Sequence, residues 1–336
     1  MTSGTRPIRL SILDRSSTRQ GQSAAQALRD TVRFAQQAEE LGYHRFWVSE
    51  HHSVPGLAGS APTVLAAAIA AATGTIRVGT GGVMLPNHQP LVVAEQFGVL
   101  EALFPGRIDM GLGRSVGFTN GVRRALGQDK EAADTFTTRL TELLGYFTGD
   151  QQVHPGVHAH PGEGLPISPF ILATGAGADL AATFGLPLVA GGPRATEAIT
   201  RYRTNFRPST WSPHPYVIVA ATIAAADTTE QARRLLLPEA WSTAHSRTHG
   251  EFPPLHTPAA ILAKPLTPRE RTLLEEAMRG QLHGTPTEMA TALEDLINRT
   301  GADEVLVTLS THSREDMLNS YRHLATATRN NATSTR

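Results

Sequence analysis

The sequence contains no cysteine, which removes disulfides, thiolate metal sites and a cysteine nucleophile from consideration. It carries no excess of either charge: 30 basic and 30 acidic residues leave a formal net charge of zero. There is no basic stripe for nucleic acid and no charged tail. Long apolar runs are also missing. The most apolar stretch, Thr63 to Thr73, is alanine-rich and too short to span a bilayer. Met1 to Arg9 is polar where a signal peptide needs an apolar centre. The expectation is a cytoplasmic protein that engages neither nucleic acid nor membrane.

What remains is an ordinary globular composition, 336 residues of which 40% are hydrophobic and 18% charged. Length alone suggests two domains, but α/β barrels of this size routinely form one. Short apolar strands alternate with helices from the start. Leu10 to Leu13, Arg45 to Ser49, Ile76 to Val83 and Arg107 to Gly113 read as strands. The helices between them are marked by Leu28, Val32, Ala35, Ala38 and Leu41 at helical spacing, by Pro62, and by Pro90. The rhythm continues with strands over Pro169 to Ala173, Leu186 to Ala190, Tyr216 to Ile223 and Glu304 to Leu309, and with helices over Ala132 to Phe147, Ala178 to Phe184, Ala195 to Phe206 and from Ser313 on. Eight strands and eight helices in this order predict an α/β fold, a (β/α)8 TIM barrel. A single domain over 1–330 is expected, with 331–336 as a disordered tail.

About eighty residues separate the seventh strand from the eighth, more than a usual connection. Thr285-Pro286-Thr287-Glu288 is a capping box that opens a helix there, whereas Thr243 to Pro268 has five prolines and little periodicity. The insertion reads as a lid over the barrel mouth or, equally, as a surface excursion or oligomer contact.

Candidate functional residues gather at strand ends, where barrel active sites lie. Phe46-Trp47-Val48-Ser49-Glu50-His51-His52 runs from a buried strand into a carboxylate and two imidazoles, which suit a general base, a hydrogen-bonding pair or a metal. Gly79-Thr80-Gly81-Gly82 suggests close approach to the backbone by a flat ligand, or a crowded barrel layer. Arg114 ends the Gly111-Leu112-Gly113 strand, placed for a phosphate or a surface salt bridge. Thr174-Gly175-Ala176-Gly177-Ala178 leads into a helix and leaves backbone N–H groups open to an anion. His154, His158 and His160 have a spacing that admits a metal, but a histidine-bearing loop is the plainer reading.

Taken in order, Gly42 to Val48, Glu50-His51-His52, Val78 to Gly82, Leu85-Pro86-Asn87-His88, Ala94-Glu95-Gln96 and Pro105 to Arg114 resemble the bacterial luciferase-like flavin monooxygenases. The resemblance is dense from Leu10 to Gly127, looser from Ile167 to Pro187, and returns at Arg299 to Glu304. It implies a (β/α)8 barrel, usually a homodimer. It also implies reduced FMN, often supplied by a separate flavin reductase, that reacts with O2 to a flavin hydroperoxide and so oxygenates a small organic substrate. By the same resemblance His51 is the catalytic base. Arg114 and the Thr174, Gly175 and Ala176 turn hold the flavin phosphate, and Glu50, Gly81 and Gly82 line the cofactor. Luciferase has a non-proline cis peptide where Gly81-Gly82 stands. It also has a reactive cysteine where Gly113 stands, so light emission is not implied. The strand-five turn carries Thr174-Gly175 where relatives have a glutamate or paired serines. Relatives of the same fold use deazaflavin F420 for hydride transfer, which leaves an F420-dependent oxidoreductase as the alternative. A non-catalytic flavin-binding homologue and a metal-dependent hydrolase using His51 and His52 stand behind it. No resident metal is expected.

Overall fold

In the computed structural model residues 8–173, 175 and 177–333 are described. The elements are, in order, β1 (Arg9–Asp14), α1 (Ala24–Glu40), β2 (Arg45–Val48), α2 (Pro62–Ala72), β3 (Arg77–Thr80), β4 (Val83–Met84), α3 (Pro90–Leu103), β5 (Ile108–Gly113), α4 (Asn120–Ala125), α5 (Phe136–Thr148), β6 (Ser168–Ala173), α6 (Gly177–Phe184), β7 (Leu188–Gly191), α7 (Ala195–Asn205), β8 (Val217–Ala225), α8 (Thr229–His249), α9 (Pro258–Leu262), α10 (Pro268–Met278), β9 (Leu282–Gly284), α11 (Pro286–Thr300), β10 (Glu304–Thr308) and α12 (Arg314–Thr333). Short 3-10 turns cover Leu85–Asn87 and Glu131–Thr135. The fold is α/β, a (β/α)8 barrel. The short β4 continues the third strand, and β9 is an addition within the insertion. The last helix runs to Thr333, so it takes in the first part of the expected tail; residues 334–336 lie outside the described residues.

Contacts group the chain into two units. The first comprises Arg45–Ser53 and Gly59–Ile218. Its strands β2, β3, β5, β6 and β7 pair in parallel in that order, and β4 pairs with β5. Every residue of β2 is buried, as expected of a strand covered on both faces. One carboxylate ties three strands together. Asp109, fully buried, accepts from Arg45 Nη1 at 2.8 and 2.9 Å, from Trp47 Nε1 at 2.9 Å and from Arg77 Nη2 at 2.6 Å. Asp109 stands level with Gly79 on β3. A Cβ on Gly79 would collide with the Asp109 backbone and side chain, and one on Gly82 would press on the Gly111 carbonyl. At Gly79 and Gly82 the neighbouring strand thus leaves no room for a side chain.

The second unit holds the described residues before 45 and after 218, together with Val54–Ala58. There β1 pairs in parallel with β10, from Arg9 opposite Glu304 to Ile12 opposite Val307. Buried Ser11 donates to the Glu304 carboxylate. The insertion is more helical than its prolines suggest. Capping boxes at Thr228, Thr267 and Thr285 start α8, α10 and α11. The first residues of the stretch 243–268, expected to be irregular, belong to α8, which runs through Pro238 and ends at Gly250 with φ 82°. The insertion has its own small core of Leu237, Trp241 and Ile261, with Leu266 and Leu274 packed against it. Among the described residues no helix is long and apolar enough to cross a membrane.

Candidate active site

The first unit presents the ends of β2, β3, β5 and β6 side by side. β2 stops at Val48, so the alternation of side chains along a strand no longer governs the three ionisable residues that follow. The chain folds back instead, with Ser53 at φ 55°. His51 and His52 part company. The His51 Nδ1 lies 3.1 Å from the Ser49 hydroxyl, and the His51 N–H donates to the Gly59 carbonyl at 2.9 Å. His52 turns to Glu50, its Nε2 2.7 Å from Oε1. On the same oxygen sits Nε2 of His88, at 2.9 Å, while the Met84 N–H donates to the other, Oε2, at 2.9 Å.

The group brought together is thus Glu50, His52 and His88, with His51 on a separate contact. The pairing of His51 with His52 in a metal site, weighed from the sequence, does not form. His88 belongs to the Leu85 to His88 motif, and nothing in the sequence assigns it a partner. Only the closing of the loop after β4 carries it to Glu50. The neighbouring Asn87 has both side-chain amide atoms buried without a hydrogen-bond partner.

The Glu50 side chain is completely buried. Burial acts to raise its pKa, but the His52 and His88 hydrogen bonds, the charge of His88 and the Met84 N–H override it, and the carboxyl falls from 4.5 to about 2. The group is ionised in both folded and unfolded chains above about pH 4.5, so its stabilising contribution is complete there and is lost as pH falls through about 2. The shift corresponds to roughly 3 kcal/mol. Glu50→Gln is expected to lower stability near neutrality and to flatten the acid limb between these values. Denaturant titrations from pH 7 to pH 2 check this; parallel profiles for the two proteins would refute it.

The Gly81–Gly82 peptide is cis, as the resemblance implied, and the Gly81 N–H donates to the Val48 carbonyl at 2.8 Å. This bond sets the glycine pair against the end of β2. Arg114, after β5, is exposed; its Nε donates to the Ala133 carbonyl at 3.1 Å and its Nη2 to Asp134 at 2.8 Å. After β6, Thr174 and Ala176 lie outside the described residues. The Gly175 carbonyl between them accepts from the Ala178 N–H at 3.0 Å and from Arg201 Nη2 at 3.3 Å. Arg201, on α7, also reaches Asp179 at 3.2 Å. Sequence reasoning missed Arg201, and no motif pointed to it; the packing of α7 beside α6 brings it to the turn. His154, His158 and His160 do not gather as a ligand set: the His158 and His160 rings stack with centroids 5.9 Å apart, His158 bonds Glu163 at 2.7 Å, and His154 faces Glu142 at 3.6 Å.

Comparison with known proteins places the chain in a family. The profile of the family described as luciferase-like monooxygenase matches residues 8–304. The luciferase-like monooxygenase of Escherichia coli (strain K12) is 35% identical over 322 residues, 94% of this chain and 95% of that protein. The N-acetyl-S-alkylcysteine monooxygenase of Bacillus subtilis (strain 168) is 48% identical over 144 residues, 43% of each chain. The crystal structure of apo-MsnO8 superposes with a TM-score of 0.84 at 31% identity, covering 95% of this chain and 98% of that one. Two more distant structures share the fold alone. One is the oxygenating constituent of 3,6-diketocamphane monooxygenase of Pseudomonas putida in complex with FMN, with TM-score 0.71, 17% identity and coverage of 96% and 98%. The other is an F420-dependent secondary alcohol dehydrogenase with an F420-acetone adduct, with TM-score 0.71, 14% identity and coverage of 96% and 99%. The chain belongs to the luciferase-like monooxygenase family, a family of oxidoreductases built on the (β/α)8 barrel.

Proposed function

We propose that this chain is a flavin-dependent monooxygenase that uses reduced FMN and O2 to oxygenate a small organic substrate. One observation carries the reading: a row of groups on successive strand ends. His51 follows β2, Gly81–Gly82 follows β3, Arg114 follows β5, and the turn containing Gly175 follows β6. With neighbouring strands about 4.8 Å apart, the row spans roughly 14 Å. That suits an extended ligand with a flat head and an anionic tail.

The residues present fit FMN. A Cβ on Gly175 would meet nothing within 4 Å, and one on Gly113 only the Val83 carbonyl at 3.8 Å, so space is open at the ends of β5 and β6. Arg201 reaches the Gly175 carbonyl, and Arg114 directly follows Gly113. A guanidinium has five N–H donors, and Asp134 and Ala133 occupy only part of the Arg114 set. We assign the phosphate to Arg114 and to the Thr174, Gly175 and Ala176 turn, helped by the N-terminus of α6. The ring is assigned to Gly81 and Gly82, with Glu50 backing the wall beside it.

Bound, the reduced flavin supplies the activation of O2. His51 acts as the base: its Nδ1 meets the Ser49 hydroxyl, and in the tautomer with the proton on Nδ1 it is Nε2 that takes or holds a proton. Glu50, His52 and His88 keep the loop that carries His51 in place. The relative that oxygenates N-acetyl-S-alkylcysteine makes thioethers the first substrates to try. A separate flavin reductase completes the cycle. The chain works as one domain over 1–330, in the cytoplasm, and as a homodimer, for which Val64, Val92, Val99 and Leu103 on α2 and α3 offer exposed apolar side chains.

The test combines purified protein with FMN, NADH and a flavin reductase under 18-O2. One labelled oxygen in the product is expected; a product formed without label sinks the monooxygenase reading. The F420-bound neighbour of the same fold motivates the second reading, hydride transfer from F420. Fluorescence titration with both cofactors separates the two, and binding of neither leaves a homologue without flavin chemistry.

A further inference from the structure

Within the insertion, α8 and α10 pack together and carry a group of side chains that the oxygenation chemistry does not use. His245 and His249 are four residues apart on α8 and therefore share a face. Their rings stack, with centroids 4.0 Å apart and planes 10° from parallel. Glu270 sits in the first turn of α10. Its Oε2 accepts from the Thr267 N–H at 2.9 Å and the Thr267 hydroxyl at 2.7 Å. The ligand atoms these three residues offer all lie within 4.8 Å of one another.

Among the described residues nothing hydrogen-bonds the three to each other. Glu50, His52 and His88 make the opposite arrangement, with both rings already bonded to the carboxylate. The proton positions at α8 also favour a ligand. The Thr248 hydroxyl donates towards the carbonyls of His245 at 3.0 Å and Ala244 at 3.3 Å. Its oxygen, 2.8 Å from His249 Nδ1, is then the acceptor of an Nδ1–H, which leaves the Nε2 lone pair of His249 bare. A ligating histidine is held by the same kind of contact through its other nitrogen. His245 rests on Trp241, ring centroids 5.1 Å apart.

We propose that His245, His249 and Glu270 form a site for a divalent transition metal of the zinc type, completed by water, which fastens α8 to α10. Two imidazoles and a carboxylate with an open position match zinc coordination. On a tetrahedral ion with bonds of about 2.1 Å, ligand atoms stand about 3.4 Å apart. Closing from the present spacing needs only rotation of His249, which is exposed, and of the half-buried His245 and Glu270. The nearby cations are already engaged: Lys264 Nζ lies 4.9 Å from the Trp241 ring centroid, and Arg247 faces Glu276 at 3.6 Å.

The test uses untagged, chelator-treated full-length protein titrated with Zn2+ by calorimetry, with thermal unfolding in parallel. One equivalent is expected to bind at micromolar concentration and to raise the unfolding midpoint. His249→Ala and Glu270→Gln should each weaken binding at least about tenfold, with unfolding midpoints in chelator close to that of the parent. Co2+ in place of Zn2+ should give a visible band that H249A lacks. Stoichiometric binding that persists in H249A, or no binding up to about 1 mM Zn2+, overturns the proposal.

Discussion

His51→Ala is expected to lower turnover by about 10²- to 10⁴-fold, the range for loss of a general acid–base group, while flavin affinity changes by a few fold at most. The asymmetry follows from where the side chain sits. Its backbone N–H is bonded to Gly59 and its ring touches the Ser49 hydroxyl, while Glu50 holds the loop through His52, His88 and the Met84 N–H. Removing the ring takes away the proposed proton acceptor at the end of β2 and leaves Arg114 and the turn after β6 untouched. Stopped-flow turnover and equilibrium titration of FMN on the same preparation measure the two quantities. Equal losses in both would make His51 a structural residue.

The second large effect concerns stability. Asp109→Ala is expected to destabilise the fold by about 3–5 kcal/mol, the cost of leaving one partner of a buried ion pair uncompensated. Asp109 is fully buried and Arg45 nearly so, with side-chain exposure of 0% and 8%. The Arg45 guanidinium also lies over the Phe170 ring, 5.0 Å from its centroid, so it has no easy route to water. The Trp47 indole N–H loses its acceptor in the same change. Asp109→Asn keeps the shape but not the charge and should fall between the two. Denaturant unfolding of the three proteins decides this, and a loss below about 1 kcal/mol for D109A would refute it.

Much of the fold was legible because a parallel barrel writes itself locally. Short apolar strands, glycine or proline at helix ends, and polar turns recur in order, and β2 reads as buried because Phe46, Trp47 and Val48 leave no polar face. Boundaries inside the insertion were less legible. Five prolines between 243 and 268 suggested irregular chain, but those bracketing α9 and α10 stand at helix starts, and Thr228 caps a helix long enough to pass Pro238. At the site, the sequence named His51 and Arg114 through their neighbours in chain order. It could not show that His88 shares an oxygen of Glu50, since the two are 38 residues apart. Arg201 approaches Gly175 from the next helix, a tertiary contact with no local pattern. The glycine motif was ambiguous for a similar reason: the body pressing on Gly79 is Asp109 of the adjacent strand, which sequence alone does not place there.

The Asp109 cluster stands near the start of the strands, and Arg114 stands just past the end of β5, five residues on from Asp109, about 16 Å along an extended chain. Load and the proposed chemistry are thereby kept at opposite ends of one piece of backbone. Changes in the segments after β2, β5 and β6 can redraw what the barrel oxidises without loosening the ion pairs that hold its strands in register. Such a layout is evolvable: the scaffold's tolerance is concentrated where new substrates would be met.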